Sequence, residues 1–234
     1  MYILKKYETR EEMVVQLAQD MITVLEESVD TDGQASWAVS GGNTPKPLFH
    51  AMRETDLAWD DITVSLVDDR WVPESHPRSN AAMIKQELLQ GKAKQASFLT
   101  LYREGKSPFD CADDVNKEYE QQAIPFSSIL LGMGPDGHTA SLFPKAKGLE
   151  EAFHMEKAPT ISPIEAIQSP VTGDEILRLS LSARAISQCN HIRMMLTGPE
   201  KLEALEQATA EGSDLPIARL MRVLNHPLTI YYAD

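Results

Sequence analysis

Residues 127–144 read SSILLGMGPDGHTASLFP, an apolar run that breaks into glycines and then presents a single histidine, His138. The apolar run is typical of a buried strand, and the glycines that follow it indicate a sharp turn. Gly132, Gly134 and Gly137 have the G-x-G-x-x-G spacing of a dinucleotide-binding turn. A strand that ends in such a turn places its loop at the carboxyl edge of a sheet, where α/β proteins bind their ligands.

The dinucleotide interpretation requires a full helix after the last glycine, packed back against the sheet. Pro144 follows soon after Gly137 and leaves room for little more than one helical turn. No acidic residue stands at a strand end about 20 residues further on, where the ribose contact would be expected. We therefore expect Gly134, Asp136 and Gly137 to shape a loop that presents His138 for another purpose.

Segments typical of strands and helices alternate along the rest of the chain. The predicted strands are 2–7, 35–40, 62–67, 127–132, 175–182, 191–198 and 228–232, and the predicted helices are 10–29, 45–53, 79–90, 109–122, 199–211 and 216–224. This alternation predicts a doubly wound α/β fold, a mainly parallel sheet with helices on both faces. Residues 144–173 contain several prolines and predict an irregular loop or small lobe within a single domain, 1–234.

Composition and charge narrow the classes of partner. Apolar residues make up 42% of the chain and charged residues 24%. No apolar run reaches the roughly 18 residues that span a bilayer, and the N-terminus has no signal-peptide pattern. We therefore expect a cytoplasmic protein with no membrane partner, and Cys111 and Cys189 as free thiols. The net charge of −13, from 35 acidic and 22 basic residues, disfavours nucleic acid. The oligomeric state is left open.

A first candidate binding segment is AVSGGNTPKPLF, residues 38–49. A predicted strand runs into a polar, glycine-containing turn, and a helix begins near Pro45. Successive N–H groups in such a turn can surround an anion, with hydroxyl groups as further donors. The turn consists of Ser40, Gly41, Gly42, Asn43 and Thr44. It is not a Walker loop, because Lys46 lacks the required glycine spacing, and an ordinary strand–turn–helix connection has a similar composition.

A second candidate segment, SLVDDRWVPESHPRSN, places Asp68, Asp69 and Arg70 at the end of a predicted strand. An arginine there can bind a phosphate or stabilise an oxyanion, and a carboxylate can orient a histidine or a water. A salt-bridged surface turn would have the same residues. Asp68, Asp69 and His76 could suggest a metal site, but no second histidine stands at a spacing typical of metal ligands, so we predict no metal site. Arg178 lies within the later predicted strand 175–182, and Lys201 stands at the start of a predicted helix after the strand 191–198; either could add positive charge at the same edge.

Taken together, SGGNTPKPLF, VDDRWVPESHPRSN, LLGMGPDGHTASLFP, RLSLS and GPEK, in this order over nearly the whole chain, resemble the 6-phosphogluconolactonase family. The resemblance implies a fold related to sugar-phosphate isomerases and deaminases, and hydrolysis of 6-phosphoglucono-1,5-lactone in the oxidative pentose phosphate pathway. It also implies that no metal or organic cofactor takes part. Two residues depart from the family pattern: Asp69 stands where glutamate is usual, and Asn43 where serine is more familiar.

The resemblance further implies roles for the candidate residues. His138 matches the base that activates water, and we expect Asp68 to orient His138 or the water while Arg70 stabilises the tetrahedral oxyanion. A free imidazole titrates near neutral pH, which suits a base of this kind. The residues expected to bind the substrate phosphate are Ser40, Gly41, Gly42, Asn43, Thr44, Arg178 and Lys201.

Two alternative functions remain at this point. A glucosamine-6-phosphate deaminase/isomerase resembles this chain in its glycine loop and G-x-D-G-H turn, but continues as I-A-F-N-E-P where this chain reads TASLFP over residues 139–144. It also has D-E-Y where this chain has DDRWVP. A non-catalytic sugar-phosphate-binding protein would keep the phosphate loop and would have no need of His138 beside Asp68.

Overall fold

The computed structural model describes all residues, 1–234. The strands are β1 (Tyr2–Lys6), β2 (Ala35–Val39), β3 (Ile62–Leu66), β4 (Asp68–Arg70), β5 (Ser97–Leu99), β6 (Ser128–Leu131), β7 (Ile161–Glu165), β8 (Leu177–Leu181), β9 (Ile192–Thr197) and β10 (Leu228–Ala233). The helices are α1 (Arg10–Asp32), α2 (Lys46–Met52), α3 (Asn80–Glu87), α4 (Pro108–Gln122), α5 (Leu149–Ala152), α6 (Ala183–Ser187), α7 (Pro199–Ala208) and α8 (Pro216–Val223). Two short 3-10 helices span Trp59–Asp61 and Gly91–Gln95.

Seven strands form one parallel sheet in the order β1-β10-β9-β6-β2-β3-β5. The central strands β2 (ASWAV) and β6 (SILL) are buried at every residue. Strands that are buried along their whole length have both faces covered, as expected where crossover helices pack on each side of a parallel sheet. The predicted doubly wound α/β fold is confirmed.

The strand order reverses direction between β2 and β6. From β2 the chain moves outward through β3 to β5, then returns to β6 on the other side of β2 and continues to β9 and β10. The connections after β2 and β6 therefore leave the sheet in opposite directions, and a crevice opens beyond the carboxyl ends of these two strands. The polar turn 40–44 and the glycine loop 132–138 both lie at this crevice.

A second, antiparallel sheet of three short strands has the order β4-β8-β7. It is joined to the large sheet at Val67, which follows β3 and whose carbonyl accepts a hydrogen bond of 2.7 Å from the N–H of Leu181. The sequence did not predict this sheet: residues 175–182 were expected to form a strand of the parallel sheet, and the 144–173 segment, expected to be an irregular loop or small lobe, contains α5 and β7. Strand β4 is short and charged, and β7 contains Pro163, so neither carries an apolar pattern.

Local signals account for several element boundaries. Helix α1 extends to Asp32 and ends at Gly33, which has a φ of 74°. Ser79 caps α3 by accepting a hydrogen bond from the N–H of Ala82. Both cysteines are free and buried, as predicted. No helix combines the length and the apolar character needed to cross a membrane.

Candidate active site

A cavity of about 260 Å³ opens at the crevice between β2 and β6. It brings together most of the residues predicted from the sequence, although they are spread over the whole chain. The predicted residues that line it are Ser40, Gly41, Gly42, Thr44, Asp68, Arg70, Gly134, His138, Arg178 and Lys201. Asn43 is exposed and is not among the residues that line the cavity. Asp136 and Gly137 also lie outside it.

The glycine loop presents His138 because of two tight backbone features. Gly137 has a φ of 74°, a left-handed conformation that favours glycine, and its N–H donates to the carbonyl of Gly134. A Cβ atom on Gly134 would overlap the imidazole of His138, so this position has to be glycine if the ring is to lie where it does. The glycine spacing that suggested dinucleotide binding thus serves to seat a histidine.

The carboxylate in contact with His138 is Asp136. Oδ1 of Asp136 lies 2.5 Å from Nδ1 of His138 and also accepts from the backbone N–H of His138. Burial raises the pKa of Asp136, but the hydrogen bond and charge of His138 outweigh burial, so the pKa is lowered. An ionised Asp136 places the imidazole proton on Nδ1, and Nε2 keeps a free lone pair that can accept a proton. The sequence had given Asp136 only a loop-shaping role.

The imidazole is also held by an aromatic ring. The ring centroids of His138 and Phe143 are 4.1 Å apart, with the planes inclined at 33°. The guanidinium carbon of Arg178 lies 5.3 Å from the centroid of the same Phe143 ring. Phe143 therefore links the predicted base to a predicted phosphate-binding arginine, and it limits the rotation of the imidazole.

Strand β4 supplies the charged groups on the other side of the cavity. It pairs with β8 so that Arg70 lies opposite Arg178. Since successive residues of a strand face opposite sides, Asp68 and Arg70 face the cavity together with Arg178, and Asp69 faces away. Oδ2 of Asp68 accepts a hydrogen bond of 2.6 Å from the hydroxyl of Ser141. Asp68 thus pairs with Ser141, whereas His138 pairs with its own loop.

The positive charge of the cavity comes from residues that the fold holds in place. Arg178 is 2% exposed and donates from Nε to the carbonyl of Glu175 and from Nη2 to that of Thr172. Burial lowers the pKa of Arg178 to about 10, with Arg70 adding to the effect, so its guanidinium remains charged at neutral pH. Lys201 donates from Nζ to the carbonyl of Met133 at 3.0 Å. Like charges in directly opposed positions are unfavourable, and an anion beside Arg70 and Arg178 would relieve their repulsion.

The polar turn after β2 offers unused donors. The N–H of Ser40 continues the sheet by donating to the carbonyl of Leu130, but the N–H groups of residues 41–44 donate no hydrogen bond within the protein. The hydroxyl of Ser40 and Nε of Arg70 are buried without a partner. Buried polar groups are normally paired, so these atoms indicate a polar ligand in the cavity.

Asp69 lies outside the cavity and acts on the start of α3. Its carboxylate accepts backbone hydrogen bonds from Arg70, Asn80 and Ala81. Burial raises the pKa of Asp69 to about 6, although these donors oppose the shift. The motifs quoted above also contain residues whose contacts could not be predicted from the sequence, because no spacing rule indicates which distant groups they meet. These residues are Asp69, Asn80, Ser141 and Phe143.

The fold and the cavity define a class of doubly wound α/β proteins that have a histidine–carboxylate pair and a turn with unpaired N–H groups at the point where the strand order reverses. A family model described as glucosamine-6-phosphate isomerases/6-phosphogluconolactonase matches residues 8–227. The chain belongs to this family.

Individual relatives are similar over almost the full length. A 6-phosphogluconolactonase of Mesorhizobium japonicum is 35% identical over 232 residues, covering 99% of this chain and 95% of that protein. A 6-phosphogluconolactonase of Pseudomonas aeruginosa is 35% identical over 218 residues, covering 92% of this chain and 88% of that protein. The crystal structure of a 6-phosphogluconolactonase from Shewanella baltica matches with a TM-score of 0.91 at 30% identity, covering 100% of this chain and 98% of that one. The family resemblance inferred from the sequence is confirmed.

Proposed function

We propose that this chain hydrolyses 6-phospho-D-glucono-1,5-lactone to 6-phospho-D-gluconate, the lactonase step of the oxidative pentose phosphate pathway. The observation that carries the proposal is the cavity, where the Asp136–His138 pair and a set of fixed cations meet. The names of the full-length relatives support the same reaction.

The substrate phosphate binds to the turn after β2 in this proposal. The free N–H groups of residues 41–44 and the unpaired hydroxyl of Ser40 supply hydrogen bonds. Arg178 and Lys201 supply positive charge. In a chain with a net charge of −13 such a cluster is a local exception, and it concentrates attraction for a small anion at one place.

The chemistry needs one proton acceptor and one oxyanion stabiliser. Nε2 of His138 removes a proton as water attacks C1 of the lactone, while Asp136 stabilises the imidazolium that forms. Arg70 stabilises the negative charge on the carbonyl oxygen. The intermediate then collapses, the bond from C1 to the ring oxygen breaks, and the imidazolium returns its proton to that oxygen. The second oxygen of Asp68, which Ser141 leaves free, orients the attacking water.

We further propose that the chain acts in the cytoplasm on free sugar phosphate, without nucleic acid or a membrane as partner. The acidic net charge supports this, because it repels polyanionic surfaces.

The test is hydrolysis of the lactone by the purified protein, corrected for the spontaneous rate, with His138→Ala as the comparison. We expect the substitution to lower kcat by about 10²–10⁴-fold, the usual contribution of general base catalysis. A kcat near that of the unmodified protein would remove His138 from the mechanism. Ammonia release from glucosamine 6-phosphate would indicate a deaminase, and binding of 6-phosphogluconate without hydrolysis would indicate a binding protein.

A further inference from the structure

Asn80, the first residue of α3, occupies a position between the two halves of the cavity. It is 5% exposed and lines the cavity. Its amide Nδ2 donates to the backbone carbonyl of Asp68 at 2.9 Å, and its Oδ1 accepts from Nη1 of Arg70 at 3.3 Å. One amide group therefore holds both the backbone of β4 and the guanidinium that β4 directs into the cavity.

The same amide also meets the phosphate-binding turn. A Cβ atom on Gly41 would overlap the side chain of Asn80. Gly41 does not have a positive φ, so the backbone would accept alanine at this position. The requirement for glycine at residue 41 thus comes from the close approach of Asn80.

The backbone of Asn80 is held in place by the carboxylate of Asp69. Its backbone N–H donates to Oδ1 of Asp69 at 2.8 Å, and the N–H of Ala81 donates to Oδ2 at 3.0 Å. The carboxylate of Asp69 is 2% exposed and also accepts from the N–H of Arg70. Asp69 therefore ties the start of α3 to the strand that carries the arginine, which leaves the Asn80 amide little freedom to move.

We propose that Asn80 is a positioning residue that couples the anion-binding turn to the oxyanion-stabilising arginine, through contact with Gly41 on one side and a hydrogen bond to Arg70 on the other. The inference rests on the proposed function for the role of Arg70. A substrate held by the turn at its phosphate and by Arg70 at its carbonyl needs these two parts at a fixed separation. Asn80 sets that separation.

The test consists of two double-mutant cycles, one for Asn80 and Arg70 and one for Gly41 and Asn80. Rates at saturating and at low concentrations of the lactone give kcat and KM for each variant. Asn80→Ala is expected to lower kcat about tenfold, in the range of a hydrogen bond to a charged group. In an Arg70→Ala background the same substitution should change kcat by less than about twofold, because the group on which Asn80 acts is gone.

The second cycle examines the turn. Gly41→Ala alone should raise KM about tenfold, since the new methyl group displaces the Asn80 amide and the turn together. In the Asn80→Ala background, where the space is empty, it should raise KM by less than about twofold. Gly42→Ala is the matched control: Gly42 has a φ of 97° and open space around its missing Cβ, so its effect should be the same with and without Asn80.

If the fold-change of the double variant equals the product of the fold-changes of the two single variants, in kcat for the first cycle or in KM for the second, the proposed coupling is wrong. Asn80→Ser replaces the alanine variant if thermal melts show that Asn80→Ala unfolds at the assay temperature. If the unmodified protein does not hydrolyse the lactone, the proposed function fails separately. The Gly41–Asn80 cycle is then measured as the Kd for 6-phosphogluconate, where independent losses would again contradict the coupling.

Discussion

The two sheets of this protein contribute to one cavity in different ways. The large parallel sheet is apolar and buried, and it contributes through the segments that follow its strands at the carboxyl edge: the turn after β2, the His138 loop after β6 and the first turn of α7, which carries Lys201, after β9. The small antiparallel sheet contributes from within its strands, because Asp68 and Arg70 on β4 and Arg178 on β8 point directly into the cavity.

The difference shows how each kind of element controls side-chain position. A loop can place a side chain wherever a few backbone conformations allow, and the His138 loop uses glycines to do so. In a strand, successive side chains point to opposite faces of the sheet. Two neighbouring residues can therefore lie one inside the cavity and one outside it. For this reason Asp68 lines the cavity and Asp69 does not.

The largest expected effect on kcat comes from a change in the His138 loop, which follows β6 of the large sheet. Asp136→Asn keeps the shape of the side chain but removes the charge that holds the imidazole proton on Nδ1. We expect kcat to fall about 10²–10⁴-fold, as for loss of a general base, with little change in the Kd for 6-phosphogluconate. Steady-state kinetics and calorimetry measure the two quantities. An unchanged kcat would mean that another group orients His138.

The matching change in the small sheet is Arg70→Ala. Loss of one oxyanion donor is expected to lower kcat about 10²–10³-fold. Arg70→Lys should restore little of it, because a lysine cannot reproduce the fork that bonds to Asn80 and the Arg78 carbonyl while leaving Nε free. Arg10→Ala, an exposed arginine bonded to the C-terminal residue, serves as the control. Full activity of the lysine variant would show that charge alone is needed.

A third prediction concerns the face of β4 that points away from the cavity. Burial raises the folded-state pKa of Asp69 from 3.8 to about 6, and neighbouring Asp68 adds to the shift. An acid with a raised folded pKa contributes stability that is present below the unfolded pKa and is lost as the pH rises through the folded one. Relative to Asp69→Asn, the unmodified protein should therefore lose up to about 3 kcal/mol of unfolding free energy between pH 4 and pH 7.

Urea unfolding of both proteins across this range measures the difference directly. Carboxylates distant from residue 69 titrate in the same way in both proteins and cancel in the comparison. A gain in the unfolding free energy of the unmodified protein relative to Asp69→Asn as the pH rises would contradict the shift assigned to Asp69.

The smallest expected effect concerns the large sheet again, through the first turn of α7. Lys201→Ala removes one of the charges proposed to bind the substrate phosphate, and we expect KM to rise about tenfold with kcat changed little, as for loss of uniform binding. Lys92→Ala, an exposed lysine paired with Asp56, is the matched control. A KM that stays constant for Lys201→Ala would exclude it from phosphate binding.

The parts of the structure that could be predicted are those with a strong local pattern. The strands around Trp37, Leu130 and Met194 are apolar and buried, and their alternation with amphipathic helices was sufficient to predict a doubly wound sheet. The strand around Asp69 was missed because three charged residues have no apolar period. The strand around Pro163 was missed because proline usually argues against a strand.

The sequence by itself determined the doubly wound fold class, six of the seven strands of the large sheet, the loops at its carboxyl edge and the chemical types of the residues gathered there, because hydrophobic periodicity and glycine placement act over a few neighbouring residues. Only the tertiary structure decided that Asp136 holds His138, that Asp68 pairs with Ser141, that Asn43 stays outside and that Asn80 lies between Gly41 and Arg70. Most of these contacts join residues that are distant in sequence. Their formation depends on how separate elements pack, which no local pattern records.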